Sequence, residues 1–319
     1  METNGDAFRG QIRLAGYQRL SHGLYQPDRP GLSAEQELLR ELAALLLVLP
    51  EDAVYTHVTA AKLLGWQIPQ LPERVPVFAA VRGDRRPRRH GLIACRLKDP
   101  SRSTVANGLP VDAPEEILLR AARDLGVLDL TILLDSALNL GHLDLTRLSE
   151  IEASSRPGTV RLRRAHSLAD RRAQSAGETL LRVFHEVMGV PVTPQVSIHN
   201  DDGQLIGIVD LLVDGTHRAH EYDGAVHRGR TEHTIDLRRE RGWSNSPYTR
   251  CGFTLDDLLN HPIVVMHELD RLVGRPHSLR RIKRWRTLVD ESLYGERGRM
   301  RVMNRWRRTI GVVEWSGTA

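Results

Sequence analysis

Four acidic residues in the second half of the chain are spaced as ligands of a divalent metal ion. Asp210 lies in the apolar run Gly-Ile-Val-Asp-Leu-Leu-Val, where a charge is costly unless it is paired or bound to a metal. Glu221 and Asp223 follow in Glu-Tyr-Asp, and residues two apart in a strand point to the same face. Glu178, from a preceding helix, completes the set. Carboxylates grouped in this way repel one another and favour a hard cation such as Mg²⁺ or Mn²⁺.

This group of acids predicts a definite chemistry. A bound Mg²⁺ ion activates a water molecule and stabilises negative charge on a scissile phosphate, so the group predicts hydrolysis of a phosphodiester. Each acid also has a structural interpretation. Acid pairs near strand ends are often solvated, and Glu178 stands three residues after Ser175, which is the spacing of a capping box. The prediction therefore depends on the joint arrangement and not on any single acid.

The hydrophobic periodicity predicts the elements that must position these acids. Residues 175–188 have helical spacing, and Asp214-Gly215 is a turn between two strands. The predicted elements are a helix at 175–188, strands at 195–198, 205–213 and 217–222, a helix at 231–241, a strand at 248–251 and a helix from 255. Antiparallel pairing across the turn would bring Asp210 beside Glu221. We expect an α+β protein whose C-terminal part is an αβββαβ mixed sheet flanked by helices.

These residues, in this order, resemble the very-short-patch-repair-like endonucleases, a branch of the PD-(D/E)XK nucleases. The resemblance covers about 85 residues between 174 and 260. Its motifs are Ser175-x-x-Glu178, Gly207-Ile-Val-Asp210, His220-Glu-Tyr-Asp-Gly224, His227, Asp236-Leu-Arg-Arg239, Gly242-Trp, Thr249-Arg250 and Asp256-Asp-Leu258. It implies a restriction-endonuclease-like sheet, Mg²⁺ dependence and DNA as the substrate. By position, Glu178 matches the helix acid, Asp210 the central metal ligand and Glu221 the second strand acid.

The chain departs from the family pattern at two positions. Val209 stands where a proline usually precedes the central aspartate, and Asp223 stands where many relatives carry a lysine. The usual cation beside the nucleophile is therefore missing, although the Glu-x-Asp-Gly form is common in this branch. His227 matches a further motif position and is either a proton-transfer group or a structural histidine at the strand end.

Three arginines are candidate DNA contacts. Arg238, Arg239 and Arg250 fall at or near family motif positions, and guanidinium groups suit phosphate oxygens. Ion pairs on a helix face, with Asp236 or Glu240, are an equally good interpretation.

The first half of the chain resembles AbiEi-type antitoxin proteins. The segments that carry this resemblance are Leu20-Ser-His-Gly-Leu-Tyr25, Val58-Thr-Ala-Ala-Lys-Leu-Leu-Gly65 and Gly108-Leu-Pro-Val-Asp-Ala-Pro. The resemblance implies a winged-helix start, here shortened. We predict a partial winged-helix-like hairpin and helix at 1–50 and an AbiEi-like α+β domain at 51–155. The endonuclease-like domain follows at 160–265, and a basic helical tail at 266–319, with the main boundary signal at 154–158.

Composition limits the classes of function. The 319 residues carry a net charge of +5, and the two cysteines, without CxxC spacing, argue against a thiolate metal cluster and favour the reducing cytoplasm. No apolar run approaches membrane-spanning length. Positive charge concentrates at the end, because residues 271–319 hold 13 Arg and Lys against four acids. There Trp285 and Trp306 either stack on bases or dock on the core, and docking is the commoner outcome.

Three functions follow from these features. The first is a metal-dependent DNA endonuclease in DNA repair or phage defence. The second is a non-catalytic DNA-binding antitoxin or transcriptional regulator of a type IV toxin–antitoxin system, favoured by the missing lysine and proline. The third is an antitoxin that binds a toxin protein. Salt-sensitive DNA binding without cleavage under any divalent ion would distinguish the second from the first.

Overall fold

The computed structural model is an α+β protein, as the sequence predicts. It describes residues 3–4, 6–10, 16–83, 87–97, 102–200, 202–224, 243 and 246–310. Within these ranges, no helix has both the length and the apolar character needed to cross a membrane.

The described part of the chain contains 13 strands and 11 helices. The strands are β1 (Thr3–Asn4), β2 (Ala7–Arg9), β3 (Tyr17–Ser21), β4 (Leu24–Pro27), β5 (Val54–Tyr55), β6 (Val77–Val81), β7 (Leu92–Arg96), β8 (Thr104–Ala106), β9 (Leu109–Val111), β10 (Val192–His199), β11 (Leu205–Val213), β12 (Arg218–Tyr222) and β13 (Thr249–Phe253). The helices are α1 (Ala34–Leu46), α2 (His57–Leu63), α3 (Pro114–Ala121), α4 (Val127–Asn139), α5 (Leu145–Ala153), α6 (Thr159–His166), α7 (Ala176–Met188), α8 (Leu255–Leu259), α9 (Pro262–Leu272), α10 (Leu279–Asp290) and α11 (Glu296–Ile310).

Two sheets form the first half of the chain. The first has the order β1-β2-β4-β3, and its β3–β4 hairpin is the one predicted around His22-Gly23. The second has the order β7-β6-β5-β9-β8. Between them, α1 begins at Ser33, whose side chain accepts a hydrogen bond from Gln36 N while the Gln36 side chain returns one to Ser33 N. This capping box explains why the helix starts at this point of the chain.

The third sheet carries the candidate site and has the order β10-β11-β12-β13. The strands β10, β11 and β12 form an antiparallel meander, whereas β13 pairs with β12 in parallel. A parallel partner needs a crossover connection, and residues 223–248 supply it. The helix predicted at 231–241 belongs to this connection and lies outside the described residues.

One large hydrophobic core joins helices from both halves of the chain. It runs from Leu42 to Trp306 and includes residues of α4, α6, α7 and α10. The indole N–H of Trp285 donates to Leu258 O (2.7 Å), and that of Trp306 donates to Asp124 Oδ2 (2.9 Å). Both rings are buried, so docking on the core is confirmed and base stacking by these two tryptophans is wrong.

Buried acids fasten α4 to its neighbours. Asp135 accepts hydrogen bonds from Arg182 Nη2 (2.6 Å) and Thr179 Oγ1 (2.7 Å), which ties α4 to α7. Asp129 accepts from Gly126 N (2.9 Å) and, with both oxygens, from Leu293 N (3.0 and 3.1 Å) in the turn before α11. A buried carboxylate is tolerated only with such partners, so these two acids fix the packing of α7 and α11 on α4.

Several elements differ in extent from their predicted bounds. The strand β10 begins at Val192 instead of residue 195, and β13 ends at Phe253 instead of residue 251. The segment 154–158, read as the main domain boundary, is the turn between α5 and α6. The predicted domain limits themselves stay predictions.

Candidate active site

Asp210 lies in the middle of β11 with its carboxylate directed at the end of β12. The pairs Leu211↔His220 and Leu212↔Ala219, continued by one residue, set Asp210 opposite Glu221. The carboxylate Oδ2 accepts a hydrogen bond from the backbone N–H of Tyr222 (2.7 Å). The turn at Asp214-Gly215 therefore brings these two acids to neighbouring positions of the sheet, as the strand pattern predicts.

On its other side, Asp210 faces a kink in β10. The pairing of β10 with β11 has partners at Pro194↔Leu211 and Val196↔Val209 and skips the position between them, Gln195 and Asp210. Gln195 has a φ of +54°, in the left-handed region that costs energy for any residue but glycine. The kink leaves the Gln195 side chain free to turn toward the N-terminus of α7.

Glu178 lies in the first turn of α7 and is connected to this kink. Its Oε2 accepts hydrogen bonds from Gln195 Nε2 (2.8 Å) and from the backbone N–H of Gln174 (2.9 Å). Ser175 caps the helix through Glu178 N (3.1 Å), as predicted. The second half of the expected capping box is wrong, because the Glu178 carboxylate bonds to residue 174 and not to residue 175. Glu178 is thus joined through Gln195 to β10, the strand that pairs with β11.

A close contact between α7 and β12 holds these residues in place. A Cβ atom on Gly177 would lie 2.1 Å from the ring of Tyr222, a distance that no side chain tolerates. The missing side chain lets the Tyr222 ring lie directly against the first turn of α7. The same residue donates its backbone N–H to Asp210, so the contact fixes the height of β12 relative to Glu178.

Glu221 forms an ion pair across the parallel strands. Its Oε2 accepts two hydrogen bonds from Arg250, one from Nε at 3.0 Å and one from Nη2. The guanidinium carbon of Arg250 lies 5.3 Å from the centre of the Trp243 ring, within the range of a cation–π contact. Arg250 is therefore held at the site by the Glu221 carboxylate and the Trp243 ring. The ion pair on a helix face that the sequence allowed for Arg250 is wrong, because Arg250 lies on β13.

Asp223 follows the last residue of β12 and is exposed. Its backbone N–H donates to Phe253 O (2.8 Å), which extends the parallel pairing by one step. A Cβ atom on Gly252, the register partner of Glu221, would lie 3.8 Å from the Asp223 Cβ atom. Since paired residues of parallel strands share a face, Asp223 and Glu221 lie on the same side of the sheet.

A buried histidine pair joins α7 to β12. His185 and His220 are joined by an Nε2–Nδ1 hydrogen bond of 2.8 Å, and His185 Nδ1 lies 2.8 Å from Leu181 O. Burial lowers the pKa of His185 to about 4, and burial together with His185 and Arg218 lowers the pKa of His220 to about 3. Both rings are neutral near pH 7. Because the Leu181 carbonyl oxygen can only accept a hydrogen bond, the Nδ1–H of His185 donates to it. His185 Nε2 therefore accepts a hydrogen bond from the Nδ1–H of His220.

The structure thus places Asp210 and Glu221 at neighbouring positions of β11 and β12, with Asp223 one residue after β12 and Glu178 in the first turn of α7. No three His, Cys, Asp or Glu side chains lie close enough together to hold a metal ion in the part of the chain that is described. Mg²⁺ is nevertheless held in many sites by one or two carboxylates, with water and substrate phosphate completing its shell. The Asp210–Glu221 pair supplies hard oxygen donors of that kind and fits such an ion.

Some of the predicted site residues lie outside the described residues. A second group of site residues is seen in the structure but was not predicted from the sequence. His227, Asp236, Arg238 and Arg239 belong to the first group. Gln195 and Tyr222 belong to the second. A lone glutamine in a strand carries no sequence signal, and Tyr222 contributes to the site through its backbone N–H, which every residue but proline possesses.

Comparisons with known proteins leave the site to be judged on its own geometry. No family model matches the chain, and no curated protein or solved structure is significantly similar to it.

Proposed function

We propose that the protein is a metal-dependent DNA endonuclease whose ion is held by Asp210 and Glu221. The observation that carries this proposal is the position of Asp210, a carboxylate inside an apolar strand that faces a second acid across the sheet. The strand order and the parallel β12–β13 pair agree with the restriction-endonuclease-like arrangement that the resemblance implies. A cytoplasmic location is part of the same proposal.

Each residue has a role in this proposal. When bound, Mg²⁺ or Mn²⁺ supplies an activated water molecule and stabilises charge on the phosphate. Asp210, whose Oδ2 accepts the Tyr222 N–H, would be one of the carboxylates that hold the ion. Glu221, which is paired with Arg250 in the structure, would be the second carboxylate that holds the ion, and the Arg250 guanidinium suits a phosphate oxygen. Glu178 orients Gln195, and Asp223 provides a further exposed carboxylate near the ion. His227 remains the candidate for proton transfer, and Arg238 and Arg239 the candidates for contact with the DNA backbone.

A second candidate function is favoured by the Glu221–Arg250 ion pair. The ion pair engages Glu221, one of the two proposed metal ligands, and the loss of a metal ligand suits a non-catalytic DNA-binding regulator of the antitoxin class. In that case Arg250 contacts the DNA phosphate without any cleavage. A toxin protein as partner belongs to this alternative.

The ion dependence of plasmid nicking tests the proposal. We expect the protein to convert supercoiled plasmid to the nicked form with Mg²⁺ or Mn²⁺, and to lose this activity when EDTA removes the ion, because the phosphate then lacks its charge stabilisation. Restored nicking after excess Mn²⁺ is added back is the control for irreversible damage. Salt-sensitive plasmid binding with no nicking under any divalent ion would reject the endonuclease in favour of the regulator.

A further inference from the structure

A cleft with a concentration of arginines lies between α6 and α11, apart from the four acids. Its volume is about 820 Å³, and six arginines line it: Arg123, Arg161, Arg164, Arg297, Arg301 and Arg305. Only two acids, Asp290 and Glu291, lie at its wall. Arg297, Arg301 and Arg305 are four residues apart on α11, and they form one row along the helix.

The arginines of the cleft fall into two groups of three. Arg161 donates to Ala122 O (2.8 Å) and Arg301 to Glu291 O (2.9 Å), while Arg305 pairs with Asp124. Among the described residues, the side chains of the other three have no hydrogen-bond or ion-pair partner: Arg123, Arg164 and Arg297. Each arginine of the first group is held in position through one or two of its N–H groups, and its remaining N–H groups can still donate to a ligand. The arginines of the second group keep their positive charge without an ion-pair partner among the described residues.

Two further observations show that this cleft is electrostatically suited to an anion. Burial, and then the neighbouring charge of Arg301, lowers the pKa of the Arg161 guanidinium from its usual value. The helix α6 begins in the wall of the cleft at Gly158, which has a φ of +103° and no side chain with which to cap the first N–H groups. An anion in the cleft would relieve the repulsion between the arginines and interact with the positive end of the helix dipole.

We propose that this cleft binds the phosphodiester backbone of a single nucleic-acid strand, as a contact separate from the four acids. The proposal rests on the proposed function only for the class of partner, since binding here requires neither metal nor cleavage. Guanidinium forks match phosphate oxygens in geometry as well as in charge.

The row of arginines matches a strand better than a small phosphate. Eight residues of helix separate Arg297 from Arg305, a rise of about 12 Å at about 1.5 Å per residue. One strand of B-form DNA presents three to four phosphates over about that length. The flexible backbone of one strand enters a recess between two helices more readily than a stiff duplex does. No aromatic side chain lines the cleft in the described structure, so we expect contact with phosphates and no preference for base sequence.

A pair of charge-reversal variants tests this site. The cleft variant combines Arg164→Glu with Arg297→Glu, and the control variant combines Arg163→Glu with Arg307→Glu on the same two helices outside the cleft. The two variants have equal net charge. Binding of a labelled single-stranded oligonucleotide is measured by fluorescence anisotropy in EDTA, where no cleavage occurs. We expect the cleft variant to bind about tenfold or more weakly than the control, with a log–log salt slope reduced by about one to two.

Thermal melting establishes whether both double variants fold. If either does not, the neutral pairs Arg164→Gln with Arg297→Gln and Arg163→Gln with Arg307→Gln replace the cleft and control variants. Equal weakening of the cleft and control variants would overturn the proposal, because net charge alone would then explain binding. Unchanged binding in the cleft variant would overturn it as well. So would loss of tripolyphosphate binding with oligonucleotide binding intact, which would assign the cleft to small polyphosphates. A protein that binds through the cleft but nicks no plasmid would contradict only the endonuclease.

Discussion

Replacing Asp210 by asparagine is expected to lower plasmid nicking by about 100-fold or more while leaving the fold intact. The asparagine Oδ1 atom can still accept the Tyr222 N–H that now bonds to Asp210 Oδ2, so the strand contact survives. What disappears is the negative charge that binds the ion. Charge stabilisation by a metal is worth several kcal/mol in a transition state, and about 2.7 kcal/mol already corresponds to a factor of 100.

The matched control for this variant is Asp214→Asn. Asp214 is exposed in the turn after the same strand, where its Oδ1 accepts a hydrogen bond from Thr193 Oγ1 (2.8 Å). We expect the control to nick plasmid at nearly the wild-type rate. Equal rates for Asp210→Asn and Asp214→Asn in the presence of Mn²⁺ would remove Asp210 from the reaction.

The second large effect is expected for stability, in Asp129→Ala. Asp129 is fully buried, and its loss leaves the N–H groups of Gly126 and Leu293 without their acceptor. Each unsatisfied buried donor costs about 1–3 kcal/mol, so we expect the free energy of unfolding to fall by about 2–6 kcal/mol. Urea denaturation followed by circular dichroism measures this change.

The size of this loss is expected to depend on pH. Burial raises the pKa of Asp129 to about 7, well above the usual value for an aspartate. A carboxyl group whose pKa is higher in the folded state contributes stability at low pH and loses it as the pH rises through the folded pKa. The difference between wild type and Asp129→Ala should therefore grow as the pH falls from about 8 toward about 5. In Asp129→Asn, which cannot ionise, stability should lack this component; a pH-independent difference between wild type and Asp129→Ala would contradict the assignment.

Local pattern sufficed for the elements around Asp210. The helical spacing of Leu180, Leu181 and Phe184 predicts α7, and the apolar run of β11 together with the turn at Asp214-Gly215 predicts the hairpin. These features depend on neighbours in the chain. For that reason the sequence also predicts that Asp210 and Glu221 become neighbours in the sheet.

Contacts between segments that are distant in the chain could not be predicted from the sequence pattern. The capping interaction of Glu178 moves to residue 174 because Gln195, on a kinked strand, engages the same carboxylate. The ion pair of Glu221 with Arg250 depends on the parallel docking of β13, which no local pattern specifies. The helix α11 buries only Gly298, Val302 and Trp306, so its apolar periodicity is too sparse to mark its bounds.

Anomalous diffraction from crystals soaked in Mn²⁺ tests the central claim most directly, because it locates the ion itself. We expect a peak within coordination distance of the Asp210 and Glu221 carboxylates, which lie at neighbouring positions of β11 and β12. Clear density for both side chains with no peak between them, at an Mn²⁺ concentration that saturates any nicking activity, would contradict the claim.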